Sequence, residues 1–236
     1  MSRVTNNAKA GFKKVSHVIF DMDGLLLDTE GVYKKIIGGI AASFGKKYSP
    51  ELRSKLLGRQ EIDTSKLAVK ELALPINWEQ FFEMFRTESN KLLTNCPLLP
   101  GAEQLVKHLH KNNIPIAVAT SSCKESFDLK TQNHKHFFNL FHHTVTGGSD
   151  PEVGSGKPSP DIFLVCASRF PDKPKPYDCL VLEDAPNGVT AAVSAGMQCV
   201  MVPDKETSPE KCQHATLILP SLTDLKPELF GLPAIK

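Results

Sequence analysis

The sequence predicts an α/β protein with a doubly wound, mainly parallel sheet and an all-helical insertion after the first strand. Three observations support this class. Short apolar runs rich in β-branched residues, typical of buried parallel strands, recur along the chain. Helical patterns separate most of these runs. One long stretch after the first run has helical periodicity and no strand candidate, which interrupts the alternation.

Five apolar runs are the strand candidates. They span residues 15–20, 114–120, 179–183, 198–202 and 215–219. The helical pattern "AEQLVKHLHKN" precedes the second run, and "APNGVTAAVSAG" follows the third. This order predicts a doubly wound sheet in which helices connect parallel strands.

Between the first two runs, the apolar residues have helical spacing. They recur at every fourth position early in this stretch, and at i, i+3, i+4 and i+7 later. They are Val32, Ile36, Ile40 and Phe44, then Trp78, Phe81, Phe82, Phe85 and Leu92. We interpret them as helix-packing residues. The predicted division is a disordered lead-in at 1–14, a core at 15–29 and 97–236, and a helical cap domain at 30–96, with "CPLLPG" as the return hinge.

Composition restricts the class of protein. With 236 residues, 41% hydrophobic and 23% charged, the chain suits one large globular domain or a core with a smaller insertion. A net charge of +2 gives no reason to expect nucleic-acid binding. No apolar run approaches the ~20 residues that span a membrane. Six scattered cysteines predict reduced thiols and a cytoplasmic protein, while the acid-free "MSRVTNNAKAGFKK" leaves a mitochondrial presequence open.

Polar residues directly follow the predicted strands. Asp21 and Asp23 end the first run, and Gly24 then permits a sharp turn. The other strand ends and the loop between them carry hydroxyls, acids and one lysine: Thr120, Ser121, Ser122, Lys157, Glu183 and Asp184. In open parallel sheets, ligands bind beyond the carboxyl ends of the strands. We therefore expect these groups to converge on one edge of the sheet.

These groups have the chemistry of a phosphoryl-binding site. Asp21, Asp23 and Asp184 offer hard oxygen ligands, which suit Mg²⁺ and not zinc. Lys157 and the donors near Thr120 can hold an anion with several acceptor oxygens. An aspartate in such a site can act as nucleophile, and the acid two residues along can transfer protons. An i, i+2 spacing on an extended strand points both side chains the same way.

Four segments resemble, in order, the motifs of the haloacid dehalogenase-like phosphohydrolases. They are "DMDGLLLDTE", "ATSS", "GKPSPDIF" and "LEDAPNGVTAAVSAGM". The helical stretch after the first motif resembles the cap of the β-phosphoglucomutase-like subfamily. Longer segments, including "TSSCKESFDLKTQNHKHFF" and "PELFGLPAIK", are similar to the pseudouridine-5'-phosphatase branch of the family. The resemblance covers nearly the whole chain beyond the lead-in.

The resemblance implies a role for each matching acid. Asp21 would be the nucleophile that becomes phospho-aspartate. Asp23 would be the general acid/base, and its backbone carbonyl would also bind Mg²⁺. Asp184 would complete the metal shell, with Glu183 supporting it.

The resemblance also implies which groups hold the phosphate. Thr120, together with Ser122 and the backbone N–H of Ser121, would hydrogen-bond the transferring phosphoryl group. Lys157 would bridge the nucleophile and the phosphate. In the predicted cap, "LLGRQ" makes Arg59 the candidate for contacting the rest of the substrate.

The resemblance thus implies a Mg²⁺-dependent phosphomonoester phosphatase, with pseudouridine 5'-phosphate as the first candidate substrate. Sugar or glycerol phosphates are alternatives, and a phosphomutase needs the same two aspartates. A non-catalytic binding module would be expected to lose Asp21, Asp23 or Lys157, and this sequence keeps all three. We expect a monomer whose partner is a small phosphorylated metabolite, with no nucleic-acid or membrane partner.

Overall fold

The computed structural model describes residues 11–56, 61–205 and 207–235 of the chain. In this part of the chain, six parallel strands form one sheet in the spatial order β3-β2-β1-β4-β5-β6. They are β1 (His17–Phe20), β2 (Ile116–Thr120), β3 (His143–Thr146), β4 (Cys179–Glu183), β5 (Gln198–Met201) and β6 (Leu217–Ile218). This strand order, with helical connections between the strands, confirms the predicted doubly wound α/β class.

Nine α-helices occur in the described residues. They are α1 (Thr29–Ser43), α2 (Pro50–Leu56), α3 (Glu61–Leu72), α4 (Trp78–Leu92), α5 (Ala102–Lys111), α6 (Lys124–Thr131), α7 (Lys135–Phe138), α8 (Asp161–Ser168) and α9 (Pro186–Ser194). Short 3₁₀ turns span Leu93–Asn95, Pro176–Asp178, Pro209–Cys212, Leu222–Asp224 and Pro227–Phe230. Helices α1 to α4 form the insertion between β1 and β2, as predicted.

The sequence analysis did not predict strand β3. It lies at the edge of the sheet, where it pairs with β2 alone. Of its residues, Val145 is buried, whereas His143, Thr144 and Thr146 are only partly buried. An edge strand of this kind lacks the continuous apolar run that identifies a buried parallel strand, so its signal in the sequence is weak.

Alternate strand residues are buried on opposite faces of the sheet. Ile19 and Val181 belong to one apolar cluster, whereas Val18 and Phe20 belong to another. The cluster that contains Phe20 continues into the helices between β1 and β2, so the sheet and the insertion share a core. Burial on both faces explains why the central strands read as unbroken apolar runs.

Helix α4 packs through a narrower stripe than the sequence predicted. Phe81 and Phe85 are buried, in agreement with the prediction. Leu92 is 41% exposed, so its assignment to the packing stripe is wrong. The buried side continues instead through Ser89 to Leu93. Residues four apart share one side of a helix, and 81, 85, 89 and 93 therefore lie in one row.

The two segments that connect the insertion to the sheet pair with each other. The Asp28 backbone N–H donates to the Pro97 carbonyl, and the Leu99 N–H donates to the Leu26 carbonyl, both at 2.9 Å. The Asp28 side chain also accepts from the Gly31 N–H and so caps α1. The predicted return hinge thus lies beside the exit from β1, while the domain limits at 30 and 96 remain a prediction.

Part of the predicted lead-in contacts the core. Residues 1–10 lie outside the described residues, but residues 11–14 are described. The Phe12 ring lies 5.0 Å from the Phe230 ring, measured between centroids. Among the described helices, none combines the length and the apolar character needed to cross a bilayer.

Candidate active site

The sheet gathers the predicted polar residues around the boundary between β1 and β4, where the strand order reverses. The Asp21 N–H donates to the Leu182 carbonyl at 3.0 Å, which sets Asp21 beside Glu183 at the end of β4. Thr120 ends β2 on the other side of β1. Lys157 enters from the loop between β3 and α8. Such a boundary is where open α/β sheets bind ligands.

Three buried carboxylates meet at the Lys157 ammonium. One oxygen from each of Asp21, Glu183 and Asp184 lies within 4.8 Å of the other two. Lys157 Nζ donates to Asp21 Oδ1 at 2.5 Å, to Glu183 Oε1 at 2.6 Å and to the Ala119 carbonyl at 3.1 Å. The Lys157 side chain is 8% exposed. A single ammonium therefore faces three acids where little water reaches.

This excess of acids disfavours their ionisation. Burial, with the charges of Glu183 and Asp23, raises the pKa of Asp21 to about 8 despite the opposing effect of Lys157. Burial and the neighbouring acids also raise the pKa of Asp184 well above its usual range. Burial would lower the pKa of Lys157, but Asp21 and Glu183 raise it. A cation among these acids would favour their ionised forms.

Glu183 is fixed by donors on both carboxylate oxygens. Oε1 accepts from Lys157, and Oε2 accepts from the backbone N–H groups of Asp184 at 2.9 Å and Ala185 at 3.0 Å. Gly188 in α9 leaves the space for this carboxylate, because a Cβ there would lie 1.8 Å from Glu183 Oε1. The sequence analysis assigned Gly188 to a helix and gave it no role in the site.

The remaining acceptors fit a divalent cation with oxygen ligands. The Asp184 carboxylate is buried, yet it accepts no hydrogen bond from any described group. The Asp23 backbone carbonyl likewise accepts none in this part of the chain. The carboxylates of Asp184 and Asp21 and the backbone carbonyl of Asp23 offer hard oxygen ligands of the kind that Mg²⁺ binds. Glu183, already engaged by its own donors, suits an indirect role.

The Asp23 carboxylate is not part of this cluster and has separate donors. Lys130 Nζ donates to Oδ1 at 2.7 Å, while Ser122 Oγ and Thr120 Oγ1 donate to Oδ2 at 2.9 and 3.1 Å. Burial would raise the pKa of Asp23, but Lys130 and the two hydroxyls hold it below its usual value. The two aspartates thus have different partners, which their spacing did not reveal.

Lys130 is a site residue that the sequence analysis missed. Its side chain is 3% exposed and also donates to Ser122 Oγ at 2.9 Å. Its Nζ lies 5.6 Å from the centroid of the Tyr33 ring, which comes from α1. Lys124, on the same helix, pairs instead with Asp128 at the surface. The sequence pattern contains no signal that distinguishes these two lysines.

Backbone donors at the strand ends are available to an anion. Directly after β1 and β2, the N–H groups of Met22, Asp23 and Ser121 donate to no described acceptor. Successive free N–H groups of this kind can bind anionic oxygens. The Ser121 side chain is exposed at the rim of the site. Arg59, the predicted substrate contact, lies outside the described residues.

Charged residues of the insertion also reach the sheet edge. Arg53 of α2 donates to Asp204 Oδ2, in the loop after β5, at 2.8 Å. Glu30 of α1 is partly buried nearby, and burial, with the charge of Asp23, raises its pKa to about 7 against the effect of Arg53. The sequence did not predict these groups, because their partners come from distant segments.

Comparisons with known proteins agree with this geometry. The family model described as haloacid dehalogenase-like hydrolase matches residues 18–202. A Drosophila melanogaster protein named "Probable pseudouridine-5'-phosphatase" is 52% identical over 222 residues, covering 94% of this chain and 96% of the relative. The Arabidopsis thaliana protein "(DL)-glycerol-3-phosphatase 2" is 46% identical over 227 residues, with 95% and 94% covered.

The fold is shared with solved structures. The crystal structure of β-phosphoglucomutase from Clostridium difficile matches with a TM-score of 0.69 at 24% identity, covering 92% of this chain and 97% of that one. The similarity therefore extends over both the sheet and the helical insertion. It confirms the fold predicted from the four motifs.

Proposed function

Since this chain belongs to the haloacid dehalogenase-like hydrolase family, we propose that it is a Mg²⁺-dependent phosphatase of small phosphate monoesters. The proposed reaction proceeds through a phospho-aspartate at Asp21. The observation that supports this best is the buried cluster of Asp21, Glu183 and Asp184 around Lys157. Phosphoryl transfer depends mainly on positioning and charge neutralisation, and this cluster has the groups for both.

Different residues of the site would bind Mg²⁺ and the phosphoryl group. Asp21, Asp184 and the backbone carbonyl of Asp23 would hold Mg²⁺, and Glu183 would support Asp184. When bound, Mg²⁺ supplies positive charge against the acids and the phosphoryl oxygens. Lys157 supplies a second positive charge between Asp21 and the phosphate. The backbone N–H of Ser121 would donate a hydrogen bond to the remaining oxygens. Thr120 and Ser122 would do so only when their hydroxyl hydrogens turn from Asp23 to the phosphoryl group.

Both aspartates take part in each half of the reaction. Asp21 forms a bond to phosphorus while the bond between phosphorus and the leaving oxygen breaks. Asp23 passes a proton to that oxygen, and it must first bind this proton because Lys130 favours its ionised form. In the second half a water oxygen bonds to phosphorus, its proton passes to Asp23, and the Asp21–phosphorus bond breaks. The products are the alcohol and inorganic phosphate, and both aspartates return to their starting forms.

The first substrate we propose is pseudouridine 5'-phosphate, for which the 52% identical fruit fly relative is named. Glycerol phosphate is the second candidate, because the 46% identical Arabidopsis relative carries that name. We propose that residues 30–96 act as a cap over the site. Tyr33 of the insertion covers Lys130, and Arg53 reaches Asp204. A cap favours small substrates and excludes bulk water.

A phosphate-release assay with Mg²⁺ tests the activity and the substrate together. The panel comprises pseudouridine 5'-phosphate, uridine 5'-phosphate, glycerol 3-phosphate and 2-deoxyhexose phosphates. We expect one member to be strongly preferred and EDTA to abolish its hydrolysis. Equal, feeble rates on all of them would exclude the named substrates. Isomerisation of a hexose phosphate without phosphate release would indicate a phosphomutase instead.

The nucleophile is tested by Asp21→Asn, which keeps the shape of the side chain. We expect kcat to fall by about 10³ or more, as for other catalytic nucleophiles. Asp128→Asn is the matched control, because Asp128 is exposed on α6 and should leave the activity unchanged. Wild-type protein quenched in acid during turnover should carry a phosphoryl group on the peptide containing Asp21. Full activity of the Asp21 variant would refute the covalent mechanism.

We further propose that the enzyme works as a cytoplasmic monomer. Light scattering of the purified protein measures the oligomeric state, and cell fractionation measures the compartment. A dimer, or recovery in the mitochondrial fraction, would contradict the respective expectation.

A further inference from the structure

Two buried lysines divide the acids of this site into two sets. Lys157 binds Asp21 and Glu183, beside Asp184. Among the acids of the described residues, Lys130 binds only Asp23, at 2.7 Å. An isolated buried charge is strongly unfavourable, so each ammonium holds its carboxylates in place, and each carboxylate holds its ammonium. In the native structure, Lys130 therefore keeps Asp23 apart from the acids that Lys157 binds.

The contacts of Lys130 fix the Asp23 carboxylate in orientation as well as in position. Lys130 bonds to Oδ1, and Ser122 Oγ bonds both to Lys130 and to Oδ2. Thr120 Oγ1 is the third donor, again to Oδ2. The Tyr33 ring lies over the ammonium and limits its access to solvent. With Ser122 bridging Lys130 and the carboxylate, rotation of the carboxylate would break at least two of these bonds.

We propose that Lys130 is a positioning residue, which holds the Asp23 carboxylate beside Thr120 and Ser122 and apart from the metal-binding acids, so that Asp23 can transfer protons. This inference rests on the proposed function, in which Asp23 is the acid/base. Without Lys130, Asp23 loses its ion pair and keeps the Thr120 and Ser122 hydroxyls as donors, both on Oδ2. Oδ1 is then unbound, and the carboxylate can turn towards the site of the cation. Lys130 thus acts through Asp23 and not on the phosphoryl group.

The inference predicts that the loss of kcat/KM caused by replacing Lys130 depends on the leaving group of the substrate. The value of kcat/KM reports the steps up to phosphoryl transfer to Asp21, when the leaving oxygen takes its proton. An alkyl leaving group needs that proton, whereas 2,4-dinitrophenolate leaves without it. We expect Lys130→Met to lower kcat/KM by about 10² or more for the best alkyl phosphate of the panel. The loss for 2,4-dinitrophenyl phosphate should be less than about tenfold.

A double-mutant cycle tests whether Lys130 acts through Asp23. In an Asp23→Asn background, Lys130→Met should lower kcat/KM for the alkyl phosphate by less than about threefold, because the group that it positions is already absent. Lys124→Met, on the same helix, is the matched control and should behave like the wild type. If Lys130→Met does not fold by circular dichroism, Lys130→Arg takes its place. This variant retains the charge, and its smaller losses should show the same substrate selectivity.

Several outcomes would overturn the inference. Equal losses on both substrates would show that Lys130 has only a structural role, and no loss on either would show that Asp23 needs no such support. Independent, multiplicative losses in the cycle would show that Lys130 acts elsewhere. An inactive wild-type protein would refute the proposed function itself, and this result is distinguishable because it precedes any comparison of variants.

Discussion

Gly188→Ala tests how the site depends on a single missing side chain. Gly188 lies inside α9, and its backbone is not left-handed, so alanine suits the helix itself. The added Cβ would lie 1.8 Å from Glu183 Oε1 and 2.0 Å from its Cδ, closer than any packed pair of atoms. The Glu183 carboxylate must therefore move.

Two opposing effects determine the size of the change. Helix propensity favours alanine over glycine by about 1 kcal/mol. Against this, the buried Glu183 carboxylate loses its fit to Lys157 and to two backbone N–H groups. Disrupting a buried ion pair costs about 3–5 kcal/mol. We therefore expect a net loss of about 2–4 kcal/mol in the free energy of unfolding.

Urea unfolding measures this change, with Gly39→Ala as the matched control. Gly39 lies inside α1, and a Cβ there meets no atom within 4 Å. The control should gain about 0.5–1 kcal/mol from helix propensity. Phosphatase activity of the Gly188 variant should also fall, because Lys157 loses one of its two carboxylate partners. If both glycine variants become more stable, Glu183 is not held as described and the reasoning fails.

Three further substitutions test other parts of the site. In the metal-free protein, the pKa of Glu30 is about 7 in the folded state and 4.5 in the unfolded state. Protonated Glu30 therefore stabilises the folded state below pH 4.5, and this contribution to the free energy of unfolding is lost as the pH rises towards 7. Glu30→Gln should remove this pH dependence. In urea unfolding with EDTA, the variant should be more stable than the wild type by about 1–3 kcal/mol above pH 7 and equally stable at pH 4. An unchanged pH dependence of stability would contradict this role of Glu30. Arg53→Met leaves Asp204 without this cation and should destabilise the protein by about 1–3 kcal/mol in calorimetry. The control is Lys91→Met, which removes an exposed ion pair on α4 and should change stability by less than about 0.5 kcal/mol. Equal losses in the Arg53 and Lys91 variants would show that the Arg53–Asp204 pair does not stabilise the fold. Asp184→Asn should weaken Mg²⁺ binding in isothermal titration by about tenfold or more, and an unchanged affinity would mean that the ion binds elsewhere.

The sequence predicted the framework of the site because that framework follows from local patterns. Each of the five predicted strands is marked by its own apolar run, and parallel strands share one carboxyl edge. Asp21, Thr120 and Glu183 each stand at a strand end, so their convergence needed no knowledge of side-chain packing. The same logic failed for β3, since an edge strand with one buried residue has little apolar pattern to read.

The sequence by itself therefore determined the fold class, the helical insertion and the set of groups at the sheet edge. Only the tertiary structure decided how those groups are paired. Lys130 lies 107 residues from Asp23, and Gly188 matters because Glu183 occupies the space where its Cβ would stand. Hydrophobic periodicity is a property of neighbouring residues, whereas the pairing of buried charges depends on which distant side chains the packed core brings within hydrogen-bond distance.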